Sequence, residues 1–148
     1  MASHSENLKT IKNKLKQFNI KEGKNLNLLV DEDCNEEICF NNKQLVLNHI
    51  IHTADLSNPA KPYNVYSKWV NLVYEEFFNQ GDLEKEKGLT VSLMCDREKT
   101  DIFKSQLGFI NFIVEPTFKL MLDLNPNIKS FYSNILENLD NYKKLHHK

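Results

Sequence analysis

Pro62-Tyr-Asn-Val-Tyr-Ser-Lys-Trp-Val-Asn-Leu-Val-Tyr-Glu-Glu-Phe-Phe-Asn-Gln-Gly81 is the stretch that decides the fold class. Within it Tyr66, Trp69, Val70, Val73 and Phe77 recur at the three- and four-residue spacing of one helix face. Proline loses no hydrogen bond in a first helical turn, and glycine reaches the left-handed conformation that closes a last one, so Pro62 and Gly81 read as the two ends. Downstream, Asp82 to Lys87 alternates acid and base and predicts a short solvated helix closed by Gly88, followed by a loop carrying Met94, Cys95, Asp96 and Arg97. Thr100 to Leu124 predicts a long apolar helix that Pro116 should kink. Asn127 to His146 repeats the helical pattern with Ile128, Phe131, Tyr132, Ile135, Leu139 and Tyr142. Upstream, Lys43 to Leu56 reads as a buried helix, with Leu45, Val46, Leu47, Ile50 and Ile51 crowding its circumference, until Pro59 and Pro62 stop it. Leu8, Ile11, Leu15 and Phe18 predict an amphipathic helix over residues 3–18. Asn19 to Asn42, with Gly23 and the acidic cluster Asp31 to Glu37, predicts a long exposed loop with a short helical turn around Leu26 to Val30. No strand-like alternation, internal repeat or low-complexity linker is present. The fold class is all-α, a multi-helix bundle.

The chain has 148 residues, the size of one domain, and 41% of them are hydrophobic, enough for a core. Nineteen Lys+Arg against 20 Asp+Glu give a net charge of −1. That balance argues against nucleic-acid or anionic-membrane partners, which require a positive field. Arg97 is the only arginine, and the abundant asparagine reads as compositional bias of the genome. Three cysteines, Cys34, Cys39 and Cys95, form no C-x-x-C pair and fit a reducing compartment. The first twenty residues lack an apolar signal region and no apolar run approaches a membrane span, so the expected location is cytoplasmic.

The densest polar cluster in an apolar setting is His52-Thr-Ala-Asp55-Leu-Ser57-Asn58-Pro59. A carboxylate held there is either paired or bound to a metal, because an isolated buried charge is costly. Asp55 is therefore a loop-capping carboxylate or a ligand; His52, three positions earlier, shares its helix face. Two such groups are too few for a metal site, since a catalytic zinc takes three protein ligands plus water. Gln106 precedes Phe109 by three residues, which puts an amide and an aromatic ring on one face. Together they could hold a planar heterocycle, the amide on its edge and the ring on its face; the plainer reading is a core phenylalanine beside a satisfied glutamine. The tract from Lys143 to His147 could be read as metal-binding, but as the end of a helix it reads better as a solvated, fraying terminus.

His52-Thr-Ala-Asp55-Leu-Ser-Asn-Pro59, Lys61-Pro62, Trp69, Glu75-Glu-Phe-Phe-Asn-Gln-Gly-Asp82, Ser92-Leu-Met-Cys-Asp-Arg97, Ser105-Gln106-x-Gly-Phe109 and Glu115-Pro116 follow one another in fixed order. In that order and spacing they closely resemble the C-terminal half of the class I 3′,5′-cyclic nucleotide phosphodiesterase catalytic domain. The resemblance is strongest over residues 52–118 and extends less specifically over 1–148. It implies a partial, all-helical catalytic domain of the HD-superfamily-like kind. It also implies hydrolysis of cyclic AMP and/or cyclic GMP to the 5′-nucleoside monophosphate in cyclic nucleotide signalling, with zinc plus magnesium or manganese as cofactors. By the same resemblance Asp55 is a metal ligand, Gln106 the purine-binding glutamine, and Phe109 the aromatic plate of a base clamp with Val73 on its opposite face. Phe77 lines the same pocket, and Asn58, Tyr66, Trp69 and Met94 match its walls. Asn58-Pro59 is closer to cyclic-AMP-preferring relatives, a weak lean, because a glutamine amide can satisfy either purine edge.

The family's other metal ligands, two histidines and an aspartate, and its proton-donor histidine belong to H-N-x-x-H and H-D motifs that this sequence does not contain. No catalytic acid is therefore assigned within the chain. Leu93, Val70 and Tyr74 depart from common relatives, which bears on the setting of the Met94 loop and on pocket shape. The expectation is a C-terminal half of a phosphodiesterase, a hydrolase by family but inactive alone, whose partner would be the N-terminal half. The alternative is a non-catalytic helical module that binds a purine or dimerises.

Overall fold

Helices carry most of the segment that holds the motifs, and the Ser92–Arg97 block lies in a loop between two of them. The computed structural model describes residues 36–146 together with residues 6, 8–10 and 13. The five near the N-terminus are helical, and the rest of the helix expected over 3–18 lies outside the described residues, as do the expected loop up to residue 35 and His147. The first helix, α1, runs Glu36–Asp55, so residues 36–42, expected in a loop, are helical. A 3-10 turn at Asn58–Ala60 leads into α2, Tyr63–Glu86. A loop over residues 89–101 is followed by α3, Ile102–Phe109, a π-helical turn Ile110–Val114, α4, Glu115–Leu124, a second 3-10 turn Pro126–Ile128, and α5, Lys129–His146. The described residues contain no strand, and none of their helices is long and apolar enough to cross a membrane.

Pro62 does open α2, but Gly81 does not end it. The helix continues through the stretch expected to be separate and stops at Glu86. The terminating glycine is Gly88, at φ +66°. Its N–H donates to the Lys85 carbonyl at 3.0 Å and the Leu89 N–H to the Glu84 carbonyl at 2.8 Å, the paired bonds of a Schellman cap. Gly81 is instead a buried contact: a Cβ there would lie 1.9 Å from the Cys95 carbonyl oxygen. Glycine is needed for approach, not for its φ.

The main core is built where α2, the π turn and α5 meet, from Tyr66, Val70 and Tyr74, Ile110 and Val114, and Ile135, Leu139 and Tyr142, with Phe118 of α4. The buried ridge of α2 is thus the i, i+4, i+8 row 66-70-74. Trp69 and Val73, on the flank of that row, stay 49% and 38% exposed. Around Pro116 the helix tightens into α4 only after the π turn, whose wider spacing accommodates the missing proline N–H. Thr117 Oγ1 donates to the Ile113 carbonyl at 2.6 Å within this break.

The first helix is less buried than its composition suggests. Val46 packs with Met121 and Leu124 of α4, whereas Leu47 and Ile51 are 51% and 69% exposed. A helix buries only the face that a neighbour covers. Here that neighbour is α4.

Candidate nucleotide site

Gln106 lies on α3 and is buried at 9% exposure. Asp101 caps that helix, its side chain accepting from the Lys104 N–H at 3.0 Å. The Gln106 Oε1 accepts a hydrogen bond from the Tyr66 hydroxyl of α2. Its Nε2 is 3.5 Å from the Tyr74 hydroxyl, the long limit of such a bond. The amide is therefore oriented by α2, and since each of its atoms can make a second bond, an acceptor and a donor remain for a ligand edge. Burial, with Tyr142 and Tyr74 close by, raises the Tyr66 pKa far above the ordinary phenol value, so it serves as a donor at any accessible pH.

Phe109, at the end of α3, and Phe77 of α2 are both half-buried against the main core. Phe77 stands edge-on to Tyr74, with ring centroids 5.7 Å apart. Val73 and Trp69 lie on the exposed flank of α2. Asn58 is half-buried at the start of the 3-10 turn, and its Oδ1 accepts from the Lys61 ammonium at 3.4 Å. The same ammonium sits 5.5 Å from the centre of the Trp69 ring. Lys61 thus joins two expected wall residues, a role sequence reasoning missed; the proximity of Lys61 to Asn58 in the chain was the available signal.

Met94 is 41% exposed and adopts φ +67°, a conformation a non-glycine residue reaches only when its surroundings enforce it. The enforcing contacts come from the end of α2. Glu84 accepts from the Ser92 backbone N–H at 2.6 Å and its hydroxyl at 2.7 Å. Lys85 pairs with Asp96 at 3.0 Å, and Arg97 bonds Asp82 at 2.6 and 3.0 Å while lying 5.4 Å from the Phe78 ring centre. Arg97, singled out as the only guanidinium, is one of these loop fasteners.

Asp55 is the last residue of α1 and is exposed, with His52 one turn earlier on the same helix. Among the described residues no group of three His, Cys, Asp or Glu side chains converges to hold a metal ion. The described residues therefore do not by themselves fit a two-metal centre.

The arrangement is that of an all-helical fold with a buried, oriented glutamine at its centre. The family profile described as 3′5′-cyclic nucleotide phosphodiesterase matches residues 1–135, and the chain belongs to that family. Over 101 residues it is 46% identical to the 3′,5′-cyclic-AMP phosphodiesterase, isoform F, of Drosophila melanogaster, a match covering 68% of this chain and 15% of the relative. Over 88 residues it is 48% identical to the dual specificity calcium/calmodulin-dependent 3′,5′-cyclic nucleotide phosphodiesterase 1C of Mus musculus, covering 60% of this chain and 12% of that one. A solved structure of LmjPDEB1 in complex with IBMX superposes with TM-score 0.75 at 27% identity, over 99% of this chain and 40% of the other. The chain thus spans well under half the length of the proteins it matches.

Proposed function

We propose that this chain supplies the purine-recognising part of a 3′,5′-cyclic nucleotide phosphodiesterase catalytic domain, whose reaction opens the cyclic phosphodiester to a 5′-nucleoside monophosphate. The observation that carries this reading is the Gln106 amide, fixed by Tyr66 on a helix that ends in Phe109. In this reading Gln106 bonds the purine edge, Phe109 stacks on one face and Val73 closes on the other, with Phe77, Asn58, Tyr66, Trp69 and Met94 forming the wall. The cyclic-AMP names among the relatives and Asn58-Pro59 favour adenine.

The family reading also calls for divalent metals, zinc with magnesium or manganese, with Asp55 as one ligand. Asp55 alone does not make such a centre, so no chemical step is assigned to this chain. Purified as 148 residues and supplied with zinc and magnesium, it is expected to hydrolyse neither cyclic AMP nor cyclic GMP. A robust rate abolished by Asp55→Ala would overturn that. Mixed with a relative's segment carrying H-N-x-x-H and H-D motifs, activity should appear, and Gln106→Ala should weaken substrate binding. The exposed Leu47, Ile51 and Phe112 favour a second reading, a non-catalytic module that associates through these faces; failure of complementation with both pieces folded would support it.

A further inference from the structure

Asn134 and Asn138 are spaced i, i+4 on α5, a helix that carries none of the expected site residues, and both reach the turn that carries Asn58. The Asn138 Nδ2 donates to the Pro59 and Lys61 carbonyls, both at 2.8 Å, and the Asn134 Nδ2 to the Ala60 carbonyl at 2.9 Å. Three consecutive carbonyls are thus taken by two amides more than seventy residues away in sequence. Both partners of Asn138 are acceptors only, which fixes its amide with nitrogen toward the turn. Asn138 is 1% exposed and its Oδ1 makes no hydrogen bond among the described residues. A core amide with one atom unpaired is costly, so the two donated bonds have to justify its presence among Ile135, Leu139 and Tyr142.

What those bonds fix is the backbone from Pro59 to Lys61. The turn's own bonds, Ala60 N–H to Ser57 at 2.9 Å and Lys61 N–H to Asn58 at 3.1 Å, leave these carbonyls pointing outward for the amides to take. The Lys61 backbone in turn places the ammonium that bonds Asn58 and sits over Trp69. We infer that Asn138, seconded by Asn134, is a positioning residue for the nucleotide pocket: it clamps the 59–61 backbone and, through Lys61, sets the presentation of Asn58 and Trp69. The pocket consequence rests on the purine reading above; the clamp itself does not.

The test uses the full 148-residue chain with Asn138→Asp, which keeps the volume but turns an oxygen toward two carbonyls, and Asn134→Ala, at a half-buried site where folding is little perturbed. Amide exchange at Ala60 and Lys61 should accelerate on the order of tenfold in Asn138→Asp and less in Asn134→Ala, while the core amides of Val70 and Tyr74 hold their rates. Trp69 is the only tryptophan, so its indole N–H resonance is unambiguous and should shift in both variants. With 5′-AMP as probe, affinity should fall about tenfold in Asn138→Asp. If Asn138→Asp does not fold, Asn134→Ala carries the test by itself. Unchanged exchange and an unchanged Trp69 signal would overturn the inference, as would equal acceleration of every core amide, which marks a purely scaffolding role, or a moved Trp69 with unaltered 5′-AMP affinity. A wild-type chain that gives no response to 5′-AMP would sink the purine reading instead, and exchange with the Trp69 signal would then decide the clamp.

Discussion

Gly81 within α2 and Gly88 just past its end are required for different physical reasons, and the difference is measurable. At Gly81 an added methyl would meet the Cys95 backbone carbonyl at 1.9 Å, a contact relieved only by moving the loop that holds Met94. At Gly88 nothing lies within 4 Å, and the cost is the left-handed φ of +66° alone. Gly81→Ala is therefore expected to lose about 2–4 kcal/mol, the overpacking cost outweighing the helix propensity of alanine. Gly88→Ala should lose only about 1 kcal/mol. Thermal unfolding distinguishes them, with Tm falling several degrees more for Gly81→Ala; equal shifts would refute the contact explanation. The sequence marked both glycines, but their order of use could not be read there, because a close approach depends on a loop that folds back from residue 95. That Gln106 and Phe109 share one helix is legible from their spacing. The grip of Tyr66 on Gln106 spans 40 positions and was not.

The 89–101 loop is an element held by charge. Arg97 holds the Asp82 carboxyl below its ordinary range; Gln80 and Ser92 do the same for Glu84, and Lys85 for Asp96. Bonding to Asp96 in turn raises Lys85. Depressed carboxylates contribute above their unfolded pKa, about 4, and the contribution is lost as pH falls through the lower folded values. The raised lysine contributes below its unfolded value of about 10.4, and that is lost as pH climbs through the folded one. The loop should therefore stay fastened from about pH 5 to 10 and loosen in acid, reported by the Met94 methyl resonance moving toward a mobile position below about pH 4. These pairs are exposed, so high salt should weaken them at neutral pH as well. Glu84→Ala, which removes both Ser92 bonds, should loosen the loop at pH 7; a Met94 signal indifferent to Glu84→Ala and to acid would refute an electrostatic fastening. In the sequence the alternating charges of residues 82–87 look merely solvated, since their partners lie across the loop.

At the scale of the whole molecule, the apolar surface is unevenly covered: α1 is anchored by Val46 on α4, leaving Ile51 69% exposed on its far side. Ile51→Glu should change stability by no more than about 0.5 kcal/mol, against the ~2–5 kcal/mol expected for truncating Ile135, which is fully buried. The same change should reduce self-association in sedimentation velocity; a large loss of Tm would mean that Ile51 is covered in solution. Sequence periodicity identified Lys43–Leu56 as helical and apolar but could not say which face meets a partner, because burial is decided by neighbours and not by the helix itself. On α5 the same limit hid Asn138. It sits within the Ile135, Leu139, Tyr142 row, a polar residue at a core position, yet in an asparagine-rich chain it read as composition. The sequence by itself determined the helical class, the family and the residues that carry its motifs, since these are properties of local spacing and order. Only the tertiary structure decided which glycine is a cap and which a contact, that Lys61 bridges Asn58 and Trp69, and that α5 holds the turn beneath them. Those depend on carbonyls and amides meeting across the chain, and hydrogen bonds between distant segments leave no periodic trace in sequence.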